Sequence, residues 1–282
     1  MKMNQNIGVD SMRALTQKLW AFLKRDFLEE ASYKFSFVAS VFGIFLSSAT
    51  FFFISKLISP NSTSVLDPYG GDYFSFVIIG IAFSGLLTMF EKRLPGIIRQ
   101  AQVTGTLEAI LVSRTSIPVI LFGSSLYYIL FSVVSTVFHL TLAVTVFGMK
   151  IAKINWPGAL ITFFLTFLCF LSIGILSACF ILVYKKGNPF SWIYGSVSGL
   201  LGGVFFPIKV LPAWIKWISY LLPVTYSLEG LRKSIITSSA FSEILPSIVA
   251  LSIFALIFFP LSLYLFRVAL KKAKKDGTLI HY

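Results

Sequence analysis

Charge is scarce in this 282-residue chain. Asp, Glu, Lys and Arg together make up 12% of it, about half the share of a soluble domain. A soluble fold of this length needs far more charge to cover its surface, so a water-soluble globule is excluded. Cysteine is scarcer still. Cys169 and Cys179 lie in one apolar run, and ten residues apart on a helix they fall on different faces. That argues against a disulfide or a shared metal and leaves small apolar filling as their role. Of the two histidines, His139 sits within an apolar run and His281 in the tail. A lone histidine with no relay partner is expected to be a hydrogen-bonded packing residue, and with no clustered ligands no metal site is expected. No HExxH motif occurs. Residues 195–199 read GSVSG, which misses the serine-hydrolase GxSxG because Val197 takes the central place. Without a catalytic cluster, the chain is not expected to be an enzyme. The dipeptide Gly-Lys is absent throughout, which rules out a P-loop and ATP hydrolysis by that route. The first 34 residues mix charge with apolar residues, so no secretory signal is expected there.

What the chain does have is apolar length. Hydrophobic types make up 56% of it, and there are 30 Phe. A spanning helix needs about 20 apolar residues, and six stretches qualify: 35–57, 73–90, 117–147, 157–184, 189–206 and 244–266. Asp72, Asn155 and Asn188 stand where N-caps would open the second, fourth and fifth. Pro157 and Pro189 fall at first-turn positions, where the missing N–H costs nothing. The fold class is therefore an all-α polytopic membrane protein with six transmembrane helices.

The net charge of +13 reads as topology rather than nucleic-acid binding. Lys and Arg number six before the first run, none in the next connection, then four, two, two, four and finally five in the tail. Alternate segments collect seventeen on one side and six on the other, with Lys56 at the end of the first run. The richer side is expected to face the cytoplasm. Both termini are then expected on the cytoplasmic side of a cell (inner or plasma) membrane, and the number of crossings is even.

Three segments are too patterned to be plain connections. In residues 1–34, Met12, Leu15, Leu19, Leu23 and Phe27 recur every three or four positions. They predict an amphipathic helix, either lying on the inner membrane surface or packed on other protein. In residues 91–116, Leu94, Ile97, Ile98, Ala101, Leu107, Ile110 and Leu111 give a short helical pattern with one apolar face. Either a cytoplasmic partner or the chain's own helix ends must cover that face. In residues 207–243, Leu211, Trp214, Trp217, Ile218 and Leu221 form an apolar stripe, Pro223 breaks it, and Thr225 can cap a second helix with Glu229 near its positive end. Each half spans roughly 15 Å. The pair is expected to be a re-entrant hairpin on the outer side, with two helices lying flat on the surface as the alternative. Trp214, Trp217 and Tyr220 suit the interface. Ser191, Gly195, Gly199 and Gly203 repeat every four residues and predict a flat face for close helix packing, within the chain or against a second copy.

These segments resemble those of ABC-2 type transporter permeases. Gly105-Thr106-Leu107-Glu108, followed by Ala109-Ile110-Leu111, resembles the family's GTLE-type signature between spans two and three. Leu211-Pro212-Ala213-Trp214 and the run from Leu222-Pro223 through Tyr226 and Glu229 to Arg232 resemble its proline-rich stretch before the last span. The latter is closer to the drug and lipo-oligosaccharide exporters than to the O-antigen branch. The resemblance implies a half-transporter that pairs with a second permease subunit, the same or different, and with two cytoplasmic P-loop ATPases that carry ATP–Mg. This chain itself would bind no cofactor. The region 91–116, with Glu91, Arg99, Gly105, Thr106, Leu107 and Glu108, would be the coupling helix, which favours a partner over self-packing for its apolar face. The outer hairpin, with Pro212, Trp214, Trp217, Pro223, Tyr226, Glu229 and Arg232, would gate the exit. A substrate would be amphipathic or bulky: a drug, a lipid or a lipid-linked glycan. An ATP-independent secondary transporter or channel is the alternative, and the scarcity of ionisable groups in the spans argues against coupled transport.

Overall fold

A computed structural model describes residues 3–32, 34–58, 64–106, 117–151, 153–184 and 188–275. Among them there are nine α-helices and no strand. They are α1 (Met3–Ser32), α2 (Lys34–Leu57), α3 (Tyr73–Val103), α4 (Ile117–Thr145), α5 (Trp156–Tyr184), α6 (Pro189–Leu201), α7 (Ala213–Tyr220), α8 (Pro223–Ile235) and α9 (Phe241–Lys275). Five contain stretches long and apolar enough to cross a membrane: α2, α3, α4, α5 and α9.

The expected caps form. Asp72 accepts from the backbone N–H of Ser75 at 2.9 Å and of Phe74 at 3.3 Å. Asn155 accepts from Gly158 N and Asn188 from Ser191 N, each at 3.1 Å. Each satisfies donors that a helix start leaves open.

Helix α3 is the axis of the bundle. In its most apolar window 67% of residues are buried, against 6% for α2. It packs on α4, α5, α6 and α8, while α9 lies along α5. Phe76, Ile78, Ile79, Phe90 and Leu94 are almost fully buried along it. The α2 helix turns Phe35, Phe42 and Phe53 outward, the surface an apolar span offers to lipid.

Along α3 and α6 the structure departs from the sequence reading in three places. First, no separate coupling helix starts at Glu91. α3 runs unbroken to Val103, 31 residues or about 46 Å. Leu94, Ile98 and Ala101 are buried within the chain's own core, so self-packing covers the apolar face of this half of the region. The apolar period simply continues past Glu91, Lys92 and Arg93, and a short charged run does not end a helix whose apolar face is covered by protein. Leu107, Glu108 and the rest of 107–116 lie outside the described residues. Second, the fifth expected span is helical only over Pro189–Leu201, 13 residues. That is about 20 Å, short of the roughly 30 Å hydrocarbon core. Residues 202–206 continue as bends. Third, Gly203 lies beyond the end of α6 at φ +81°, so the Ser191–Gly195–Gly199–Gly203 series is not one helical face.

In residues 207–243 the break at Pro223 is as expected, but two finer readings change. Thr225 is inside the first turn of α8, and its hydroxyl donates back to Ser219 O at 2.7 Å instead of capping. Glu229 sits mid-helix and pairs with Lys233 at 3.0 Å, one turn on.

Candidate functional site: two repaired breaks beside α3

Proline inside a helix removes one N–H and orphans the carbonyl four residues earlier. In α3 that proline is Pro95 and the orphan is Glu91 O. The α6 start repairs it: Ser191 Oγ donates to Glu91 O at 2.8 Å, and Ser177 Oγ from α5 approaches at 3.4 Å. Asn188 Nδ2 fixes both hydroxyls, at 2.6 Å to Ser177 Oγ and 2.7 Å to Ser191 Oγ, and the two hydroxyls also contact each other. Three helices thus meet on one carbonyl.

The Glu91 side chain is itself 3% exposed. A carboxylate is thus enclosed inside a helix of spanning length, where the sequence predicts few ionisable groups. Its Oε1 has no hydrogen-bond partner among the described residues. Its Oε2 lies 2.9 Å from where a Cβ at position 195 would stand. Gly195 is therefore the small residue that lets α6 close on the carboxylate, while Gly199 faces open space.

The second break is the bend after α6. Non-helical backbone inside a protein needs donors from elsewhere, and Arg232 of α8 supplies them. Its Nη1 donates to Gly203 O at 2.8 Å, its Nη2 to Val204 O at 3.1 Å and its Nε to Phe76 O at 3.0 Å. The guanidinium also stacks on the Phe76 ring, 3.4 Å from its centroid. Arg232 is 3% exposed, so all three bonds form away from water, where a charge-assisted bond is strong. Gly80 makes the approach possible, because a Cβ there would stand 2.2 Å from Val204 O. Tyr69, before α3, packs its ring 5.1 Å from Phe76. Burial pushes its phenol up to about 12, the Glu229 carboxylate adds to the rise, and Arg232 opposes it. The phenol therefore stays neutral at physiological pH.

The remaining candidates sort by place. Gly105 follows the α3 C-cap Thr104 at φ +68°, the left-handed position at which glycine ends helices. The Thr104 and Thr106 hydroxyls lie 2.8 Å apart just beyond it. The first half of the signature is therefore a helix stop. Arg99 is half-buried in the last turns of α3. Pro212 precedes α7, Trp214 and Trp217 on α7 are exposed, and Tyr226 on α8 donates its hydroxyl to Tyr220 O at 3.1 Å. His139 is 8% exposed and meets Ser47 Oγ at 3.4 Å, tying α4 to α2. Cys169 Sγ donates to Leu251 O at 3.5 Å.

Sequence reasoning missed Pro95, Ser177, Phe76 and Gly80 as parts of these contacts. Pro95 was the available signal: a proline four residues after Glu91, inside an apolar period that runs on through Leu94 and Ile98, needs an outside donor for the carbonyl it orphans.

A helical bundle with central, internally repaired breaks fits many transporters, and comparison with known proteins narrows it. The ABC-2 type transporter family matches residues 17–236. The chain belongs to that family. Inner membrane transport permease YadH of Escherichia coli (strain K12) is 24% identical over 168 residues, 59% of this chain and 64% of the relative. The protein of the same name from Shigella flexneri gives the same figures. The chain thus spans just under two thirds of the length of these relatives. This ABC-2 chain is a multi-pass membrane protein of a transport family, and the two breaks lie against the most buried of its five long apolar helices.

Proposed function

We propose that this chain is the permease subunit of an ATP-driven exporter, in which motion at the Val103 end of α3 reaches the outer region through α6. The observation that carries the reading is the capture of Glu91 O by Ser191. It joins the end of α3 that leads into the GTLE-type motif to the start of α6. The far end of α6 is joined by Arg232 to α8. A 13-residue helix held at both ends transmits displacement as a strut.

The same contacts support a sixth crossing. Glu91 faces Ser191, and Gly80 faces Val204. The chain from 191 to 204 therefore climbs alongside eleven residues of α3, about 16 Å. Beyond it, Asn155 N donates to Ser234 O, and Gly230 faces Thr162 two turns into α5. Those contacts support α8 dipping in beside α5 rather than lying flat, with protein covering its ends as a re-entrant segment requires. Six crossings and the Lys/Arg asymmetry put both termini in the cytoplasm.

In this reading two ATPase subunits bearing ATP–Mg act on the signature residues Gly105 to Glu108, and a second permease subunit, identical or not, completes the path. The substrate is an amphipathic or bulky molecule such as a drug, a lipid or a lipid-linked glycan. The proline-rich stretch favours the drug and lipo-oligosaccharide branch. The test is reconstitution with a P-loop ATPase. Co-purification, ATPase activity that depends on the chain, and loss of both after Glu108→Arg are expected. Transport that persists in ATP-depleted vesicles would overturn the reading in favour of a secondary transporter or channel.

A further inference from the structure

Two cavities flank the contact between α1 and α4. One, of about 1250 Å³, opens between α1, α3 and α4. The other, of about 1040 Å³, opens between α1, α2 and α4. Tyr128 and Phe131 line both, so the cavities are the two sides of one aromatic wall. Each exceeds the roughly 300–1000 Å³ of a drug-sized site.

Their chemistry differs. The first is lined by Arg25, Lys92 and Arg93, with the carboxylates Asp26 and Glu29. Asp26 is taken by Arg25 at 2.7 Å. Arg93 lies flat on Tyr128, its guanidinium carbon 3.3 Å from the ring centroid, and its buried Nε has no acceptor among the described residues. The second cavity is apolar along Phe37, Val38, Leu130 and Val134, with Lys24, Lys34 and Glu30 among its lining. Tyr128 OH already donates to Glu30 at 2.8 Å. Across both cavities five cations face three carboxylates, two of which are engaged.

We propose that this pair of cavities binds one anionic phospholipid of the inner leaflet, its phosphate on Arg25, Lys92 and Arg93 and its acyl chains along α2 and α4. The apolar side fixes the source of the phosphate. Phe37, Val38, Leu130 and Val134 are between 47% and 64% exposed on helices of spanning length, the surface such helices offer to acyl chains. The basic side fixes the headgroup: a guanidinium short of an acceptor, beside a second arginine and a lysine, suits phosphate oxygens. Juxtamembrane basic clusters draw anionic lipids in the same way. The site would couple the position of α1 to the leaflet. The leaflet assignment rests on the orientation proposed above, whereas the binding itself does not depend on an ATPase.

The test is native mass spectrometry of the full chain, purified in detergent and offered phosphatidylglycerol, phosphatidylethanolamine or phosphatidylcholine at equal mole fraction. We expect phosphatidylglycerol to be retained roughly tenfold over the other two, from an excess of two positive charges. Lys92→Glu, at an exposed position, should remove that preference. Val134→Trp, also exposed, should lower retention of all three by filling the apolar side. Both variants are checked for an unchanged melting temperature, so loss of lipid is not loss of fold. Equal retention of the three lipids would overturn the proposal, and so would displacement of phosphatidylglycerol by millimolar inorganic phosphate, which would make the site one for a free anion. Because the readout is lipid mass on the chain alone, failure here leaves the exporter reading standing, and failure of ATPase coupling leaves this result interpretable.

Discussion

The two breaks beside α3 meet the same need by opposite means. At Glu91 a single orphaned carbonyl is met by neutral hydroxyls, Ser191 at 2.8 Å with Ser177 behind it at 3.4 Å. At the bend after α6 two carbonyls are met by one buried guanidinium that also reaches Phe76 O of α3, with bonds between 2.8 and 3.1 Å. A neutral hydrogen bond contributes about 0.5–1.5 kcal/mol and one to a charged group about 1.5–3. The hydroxyl contact can therefore be exchanged at small cost, whereas the guanidinium clamp cannot. If α6 acts as the strut proposed above, one fixed end and one releasable end would let it respond at the Val103 side of α3 without dismantling its contact with α8.

The largest effect should come from the fixed end. Arg232→Ala orphans Gly203 O and Val204 O and leaves a cavity against Phe76. We expect a loss of at least about 3 kcal/mol, read as a fall in melting temperature of the detergent-purified chain and loss of a monodisperse elution peak. Arg232→Lys should recover little of it, because an ammonium cannot present the fork that reaches three carbonyls on two segments. If Arg232→Lys behaves as the parent, the clamp is not the determinant and the asymmetry between the two ends disappears.

Next is Gly80→Ala. A Cβ there would stand 2.2 Å from Val204 O and 2.7 Å from Arg232 Nη2, so backbone must move. Overpacking of this kind costs about 1–3 kcal/mol. Gly85→Ala is the control. It lies on the same helix with nothing within 4 Å of its added Cβ, and it should hold the melting temperature or raise it slightly, since Ala is favoured over Gly in a helix interior by about 0.5–1 kcal/mol. Equal effects at the two positions would mean that the close approach of the bend to α3 is unimportant.

How much of this was legible in the sequence depends on what kind of signal each feature leaves. Long apolar runs report themselves, so α2, α3, α4, α5 and α9 fall where composition places them, and Asp72, Asn155 and Asn188 cap as their side chains allow. The end of α3 is not legible because Glu91 reads as a boundary. A charge marks the end of a span only if it faces water or lipid, and here α5 and α6 enclose it. The end of α6 is hidden for the converse reason. Residues 202–206 are apolar enough to continue a helix, and only the distant Arg232 makes their bent backbone affordable. Such pairings over 28 residues, or 156 for Phe76, leave no periodicity behind. Arg232 was singled out by the family resemblance, but that named it without giving it a contact.

A smaller effect is expected at the releasable end, and it separates stability from coupling. Ser191→Ala removes the hydroxyl that meets Glu91 O, at about 1 kcal/mol. The melting temperature should fall slightly, and less than for Arg232→Ala. With the ATPase present, the readout is transport per ATP hydrolysed. If α6 is the strut, that ratio should fall while ATPase activity persists. A proportional fall in both would reduce Ser191 to a packing residue.

The smallest effect tests the origin of the contact most directly. Pro95→Ala restores an N–H that can bond Glu91 O within α3, so the carbonyl no longer needs Ser191. Alone, the substitution should be neutral or mildly stabilising, because the helix gains a bond and loses a ring clash. The informative quantity is the double-mutant cycle with Ser191→Ala. In the parent, removing the hydroxyl orphans a carbonyl. In the Pro95→Ala background it removes a redundant second donor. The two changes should therefore couple by about 0.5–1 kcal/mol in thermal or chemical unfolding, with Ser191→Ala costing less in the variant. Transport should respond in the opposite sense to stability, since a self-satisfied α3 has less hold on α6 and efficiency should drop even as the chain melts higher. Strict additivity would mean that Ser191 does not stand in for the missing proline N–H, and that the two ends of α6 differ only in which side chains happen to lie there.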